Sequence, residues 1–270
     1  EKRVTGYDLP RLFVGSEGTL GIITKLIVRL LPIPPYKETF LLTSTSLRRT
    51  TEMVSEILNH NIKPCTLEYM DRTAIDAVSS FMENPPPKTV QALLIVEIDG
   101  EKTNVEQQAA KFISLVSERN EFTLREATTQ DEVEQIWQAR RAIPPSVLKL
   151  PPKKIGEDVA VPRSRIPELV EFTEALSKEL GLMILTFGHA GDGNLHPNII
   201  FDKRDEEESE RVEAAVRELF EAAVELGGTL SGEHGIGIAK SRFFEKETSE
   251  ATILYSRRIK TALDPQNILN

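Results

Sequence analysis

The chain is short of most residues that announce a chemistry by themselves. It has one cysteine, Cys65, one tryptophan, Trp137, and four histidines in 270 residues. A single cysteine excludes an internal disulfide and suits a reducing, cytoplasmic setting. No apolar run approaches the ~20 residues of a membrane-spanning helix, and the opening Glu1-Lys2-Arg3-Val4 has no signal-peptide pattern. Positive charge is also scarce: 33 Lys and Arg stand against 42 Asp and Glu, a net charge of -9. That balance excludes a broadly basic surface, so no nucleic-acid partner is expected. What remains is ordinary for a globular chain, 40% hydrophobic and 28% charged, long enough for one large domain or two modest ones.

The few histidines are concentrated. Three of the four lie in two glycine-rich segments, F-G-H-A-G-D-G-N-L-H-P-N over 187–198 and S-G-E-H-G-I-G over 231–237. His189, His196 and Glu233 offer two imidazoles and a carboxylate with further coordination open, which suits a catalytic divalent metal. In an extended stretch His196 and Asn198 point to one face, so Asn198 can hold a substrate that the metal binds. Glu233 and His234 are expected to diverge, separating a ligand from a base that stays free to take a proton. Asp192, between two glycines, reads as a turn former. His60 stands apart and reads as an ordinary structural histidine.

Three further groups are undecided on residues alone. Arg140 and Arg141 follow Trp137 near a helix end, where an arginine can clamp a carboxylate through two parallel hydrogen bonds or simply sit at the surface. Lys153-Lys154 after Pro151-Pro152 is similarly open. Gly15, Gly18 and Gly21, with Ser16, Glu17 and Thr19 between them, can aim backbone N–H groups at an anion or serve as a turn into a strand. At this level a flavin-independent metallohydrolase and a non-catalytic partner-binding module both remain open.

Hydrophobic periodicity supplies the elements. Residues 22–31 read as a strand stopped by Pro32, Pro34 and Pro35, the best candidate domain boundary. Strands follow at 38–45, 66–70, 90–99, 122–127, 155–161, 182–187 and 198–202. Helices follow at 46–60 capped by Ser46, at 71–81 capped by Asp71, and at 103–119 with Val105, Ala109, Phe112, Ile113 and Val116 inward. Further helices run over 131–141 until Pro144-Pro145, over 165–180 closed by Gly181, over 205–226, and over 249–262. The expected class is α+β: an antiparallel sheet flanked by helices, with a hint of two ferredoxin-like units.

In G-Y-D-L-P-R-L-F-V-G-S-E-G-T-L-G-I-I-T, W-Q-A-R-R, D-V-A-V-P, the two histidine segments and the closing L-D-P-Q-N-I-L-N, the chain resembles the FAD-linked 2-hydroxy acid dehydrogenases and oxidases. The resemblance runs in order along essentially the whole chain. It implies that residues 1–36 are the tail of an otherwise missing FAD-binding domain. Residues 37–270 would be the substrate, or cap, domain, with a C-terminal segment returning towards the flavin. It implies oxidation of a 2-hydroxy acid of the glycolate or D-lactate type by hydride transfer to FAD, and a piece inactive by itself. By resemblance, His189, His196 and Glu233 match the ligands of a divalent metal, commonly zinc, and His234 the catalytic base. Arg140, Asn198 and Lys154 match substrate contacts, while Gly15, Ser16, Glu17, Gly18, Thr19 and Asn270 lie near the flavin. An iron-sulfur subunit is an implied electron acceptor, with the protein cytoplasmic or held at a membrane through a partner. One departure is Pro144, where some members carry a hydroxyl residue one turn after the clamp arginine.

Overall fold

The computed structural model describes residues 5–147 and 153–270; the opening Glu1-Lys2-Arg3-Val4, and Pro151-Pro152, lie outside the described residues. The chain divides into two compact units, one of residues 33–232 and one of residues 1–32 with 233–270. The first division falls between Pro32 and Ile33, within the proline cluster. The second, between Gly232 and Glu233, groups residues 233–270 of the expected 37–270 cap domain with residues 1–32, and it interrupts a glycine-rich segment rather than a linker.

The smaller unit begins with a short helix, α1 (Leu9–Phe13), whose N-cap is Asp8. Residues 22–31, expected as a strand, form no regular element. Ile22, Leu26, Ile27, Val28, Leu30 and Leu31 are all exposed. An isolated extended segment has no ladder to satisfy its backbone and no face to bury, so apolar β-branched composition alone does not make it a strand.

The larger unit is built on one sheet with the order β4-β1-β3-β2-β7-β8-β5 and with β6 also paired to β8. The strands are β1 (Tyr36–Ser44), β2 (Thr66–Asp71), β3 (Ala92–Gly100), β4 (Phe122–Ala127), β5 (Lys153–Gly156), β6 (Val159–Ala160), β7 (Met183–His189) and β8 (Asn194–Phe201). Every pairing is antiparallel. The first four strands run 4-1-3-2, the ferredoxin-like order, with α2 (Leu47–Asn59), α3 (Arg72–Val78) and α4 (Lys102–Ser117) in the connections. The second half repeats that order: β7 and β8 form a hairpin, β5 and β6 lie beyond β8, and the last strand shrinks to one bridge between Ala160 and Thr229. The two half-sheets join through β2 and β7.

Local chemistry explains most element ends. Ser46 accepts a hydrogen bond from the Arg49 N–H and Asp71 from the Ala74 N–H, the two expected caps. After β6, α6 (Ile166–Leu180) ends where Gly181 turns left-handed at φ 62°. The acidic start of α7 (Glu206–Glu225) is capped by Asp205, and its charges suit the helix dipole. The smaller unit then resumes with α8 (Gly237–Lys240), α9 (Phe244–Glu247) and α10 (Glu250–Leu263), the last capped by Ser249.

Three element expectations need correction. Helix α5 (Gln130–Val147) does not stop before Pro144-Pro145 but runs through them. The prolines remove the donors that would bond the carbonyls of Arg140 and Arg141, yet Ala142, Ile143 and Val147 are buried and hold the last turns down. In α4, Val105, Ala109, Phe112 and Val116 face inward as expected, but Ile113 is 38% exposed and Leu115 is buried instead. The strand expected over 155–161 is split in two around Glu157-Asp158.

Candidate functional site

Register alone gathers the predicted residues of the larger unit on one sheet face. Glu68 on β2 pairs with His189 on β7, and Met70 with Phe187. Phe187 pairs with His196 on β8, Leu185 with Asn198, and Gly156 on β5 with Asn198 in turn. Because strand side chains alternate, Glu68, Phe187, His189, His196 and Asn198 all project to the same side. That side is covered by α5, which carries Arg140, and by α3; Met70, Leu185, Phe187, Ile136, Ala139 and Ile143 form the apolar floor beside the polar groups. The expected tight turn is the hairpin between β7 and β8. There Asp192 accepts from the Asn194 N–H at 3.1 Å, as a turn former should. His196 lies within β8 rather than in the turn itself.

The two imidazoles stand edge to face, with ring centroids 5.3 Å apart. Each has a carboxylate on its Nδ1 side. His189 Nδ1 bonds Glu68 Oε1, and His196 Nδ1 lies 3.7 Å from Oδ1 of the fully buried Asp158. The Ser231 hydroxyl donates to the other oxygen of Asp158 at 2.8 Å. His189, bound through Nδ1–H, presents a bare Nε2, the form that ligates metals, and the Asp158 carboxylate near His196 Nδ1 favours the same tautomer there. This pair therefore fits a divalent cation. At the far end of the segment Gly232 abuts Asn194, whose side chain a Cβ on residue 232 would meet at 2.3 Å, so only glycine is accommodated there.

Arg140 is held rather than free. Its Nε donates to Glu68 Oε2 at 2.7 Å, and its guanidinium carbon lies 4.7 Å from the centre of the Phe187 ring. Arg141, by contrast, is a surface residue paired with Glu134. Lys154 Nζ reaches Asn198 Oδ1 at 3.5 Å, while the Asn198 amide donates to the His196 carbonyl at 2.8 Å. His60 is exposed and bonded to its own helix, in keeping with a structural role.

Glu68 is the functional residue that the sequence reading missed. It is 6% exposed in the middle of an apolar strand, T-L-E-Y-M-D. Burial acts to raise its pKa, but the hydrogen bond from His189 and the charge of Arg140 outweigh burial and leave it below the ordinary carboxylate value. A lone acid inside a strand buried on both faces was the available signal.

The remaining predicted residues belong to the smaller unit. In the first glycine segment Gly15, Glu17 and Gly18 all have positive φ, at 84°, 49° and 75°. The Thr19 N–H and hydroxyl both donate to the Ser16 carbonyl, at 2.9 and 2.6 Å. The Glu17 carboxylate accepts from the N–H groups of Ile236 and Gly237, each at 2.8 Å, and Asn270 donates to the Glu17 carbonyl at 3.0 Å. One loop thus joins Gly15, Ser16, Glu17, Gly18 and Thr19 to Asn270 and to the second histidine segment. Glu233 and His234 do not diverge as expected: Glu233 Oε1 lies 3.3 Å from His234 Nε2. The segment is bent rather than extended, with Gly235 at φ 86°, so adjacent side chains converge.

Residues 33–270 match the family model described as FAD linked oxidases, C-terminal domain. The chain belongs to that family. Among curated relatives, this FAD-linked oxidase domain is 40% identical over its whole length to the Bacillus subtilis glycolate oxidase subunit GlcD. It is 34% identical to the Escherichia coli GlcD over 98% of the chain, and 31% identical to a probable mitochondrial D-lactate dehydrogenase of Danio rerio over all of it. It spans only 57, 53 and 54% of those proteins. Among solved structures, alkyldihydroxyacetonephosphate synthase has the same fold, with TM-score 0.66 at 15% identity over 99% of the chain and 50% of its own. A p-cresol methylhydroxylase matches with TM-score 0.65 at 12% identity over 88% of the chain and 52% of its own. The α+β antiparallel fold read from the sequence is the fold of this family.

Proposed function

We propose that this chain is the substrate- and metal-binding part of an FAD-dependent oxidoreductase that converts a 2-hydroxy acid, of the glycolate or D-lactate type, into the 2-oxo acid. One observation carries the reading. Two imidazoles set for metal ligation, a guanidinium and an amide share one face of β2, β7, β8 and the adjoining helix. Membership of the FAD-linked oxidases, with GlcD subunits and D-lactate dehydrogenases as relatives, supports it.

In this reading His189 and His196 bind a divalent metal, zinc being well suited to such donors, and Glu233 is the carboxylate ligand that the family resemblance implies. The cation, when bound, supplies Lewis acidity for the substrate's hydroxyl and carboxylate oxygens. FAD, when bound, supplies the electron-accepting ring. Arg140 offers its Nη edge to the substrate carboxylate, since Glu68 takes the Nε side. Asn198 and Lys154 hold the substrate's oxygens, and an imidazole nitrogen of His234 takes the hydroxyl proton. Gly15, Ser16, Glu17, Gly18, Thr19 and Asn270 face the flavin. The partners are the FAD-binding domain and, as for GlcD, which is named as a subunit, companion chains; an iron-sulfur protein suits the electron-accepting role. Among the described residues no helix is long and apolar enough to cross a membrane, in keeping with placement in the cytoplasm or at a membrane through a partner.

The test is reduction of FAD in the full-length protein across glycolate and the enantiomers of lactate and 2-hydroxyglutarate, with His234→Ala beside it. One acid should bleach the flavin. The variant should keep its flavin absorption and lose roughly 10²- to 10⁴-fold in kcat. Turnover at the unaltered rate would remove His234 from the mechanism.

A further inference from the structure

Glu68 sits at the centre of β2 between Leu67 and Tyr69, both buried, and is itself nearly inaccessible. A carboxylate there is costly unless paired, and many buried ion pairs can be exchanged for apolar groups without loss of stability. The partners of Glu68 are not incidental. One oxygen meets His189 Nδ1 and the other Arg140 Nε, the residues assigned above to the metal and to the substrate carboxylate. Direct cross-strand pairing places the His189 side chain opposite Glu68 on one face. The Phe187 ring, two residues earlier on the same strand, supports the guanidinium.

We propose that Glu68 is a positioning residue that ties the metal ligand to the carboxylate clamp: a single buried anion orients His189 through Nδ1 and Arg140 through Nε. This rests on the reading of His189 as a metal ligand. Holding Nδ1–H fixes the tautomer and points Nε2 at the cation, and outer carboxylates of this kind raise ligand basicity. Holding Nε turns the two Nη groups outward as a planar fork that matches a carboxylate. Neutralising Glu68 therefore loosens both groups together.

The experiment uses the full 270-residue chain. Zn²⁺ is titrated against a competing chelator for the wild type, Glu68→Gln and His189→Ala, with thermal melting as a control for folding. Imidazole nitrogen-15 shifts of the metal-free wild type report the tautomer directly and need no variant. The expected result is a His189 ring protonated at Nδ1, and a roughly 10- to 100-fold weaker Zn²⁺ affinity for Glu68→Gln. A folded Glu68→Gln with unchanged affinity, beside a His189→Ala that has lost it, overturns the role of Glu68 and leaves the metal site standing. So does a wild-type His189 protonated at Nε2. A wild type that takes up no Zn²⁺, or that His189→Ala equals in affinity, overturns the metal reading and this inference with it.

Discussion

Carboxylates on the two faces of β2 behave in opposite ways. Glu68 is drawn down by a cation and an imidazole. Asp71, at the end of the same strand, has no cationic partner among its hydrogen bonds: it accepts from the Ala74 N–H at 2.7 Å and the Thr186 N–H at 2.6 Å. Burial pushes its carboxyl from the ordinary 3.8 up to about 7, against the lowering effect of those two bonds. Between about pH 4 and 7 the folded protein thus keeps a proton that the unfolded chain has released. Its contribution is greatest at the acidic end of that window and is lost as pH rises towards 7. Asp71→Asn, which preserves a capping side chain, should flatten this slope. Chemical denaturation from pH 4.5 to 7.5 should show the wild type losing up to ~1.4 kcal/mol per pH unit relative to the variant. Parallel curves would show that Asp71 titrates normally.

At the scale of elements, the hairpin of β7 and β8 is what brings His189 and His196 together, and its turn leaves no room for a side chain at residue 193. Gly193 has φ 89°, and a Cβ there would meet the Val161 carbonyl oxygen at 2.0 Å; its own carbonyl accepts from the Val161 N–H at 3.1 Å. Gly193→Ala should therefore cost more than backbone strain alone, which is ~1–3 kcal/mol. Gly181 is a natural control, with φ 62° but nothing within 4 Å of its added Cβ. The predicted order of melting temperatures is wild type, then Gly181→Ala, then Gly193→Ala. Equal losses for the two glycines would show that the Val161 contact imposes no constraint. The caps at Ser46 and Asp71 were legible because capping is local. The passage of α5 through Pro144-Pro145 was not, because packing of Ile143 and Val147 on the sheet decides it.

At the scale of the whole molecule, residues 22–33 are the part of the chain least explained by its own folding. Ile27 is fully exposed, and Leu30 and Ile33 are more than four-fifths exposed. A run of apolar side chains in water attracts other apolar surfaces. The 270-residue chain should bind a hydrophobic fluorescent dye, and the triple substitution of Ile27, Leu30 and Ile33 by Ser should remove much of that signal without lowering the melting temperature. Unchanged dye fluorescence would place the dye-binding surface elsewhere. The larger unit needs no such test: its sheet is covered by helices, with Phe40, Leu42, Leu94 and Val96 buried on one face and Leu93 and Ile95 on the other.

Composition, cap residues and periodic apolar positions were enough to settle the class of fold, most strands and helices, and the short segments in which the histidines sit. These depend on neighbours a few residues away, whose mutual geometry the backbone restricts. Tertiary structure alone decided that residues 22–31 form no strand, that α5 survives two prolines, and that Glu233 and His234 converge. It alone supplied Glu68, 121 residues from its partner His189 and 72 from Arg140. Whether a buried acid is a flaw or a fixture depends on which strand is laid beside it, and that pairing is a property of the assembled sheet.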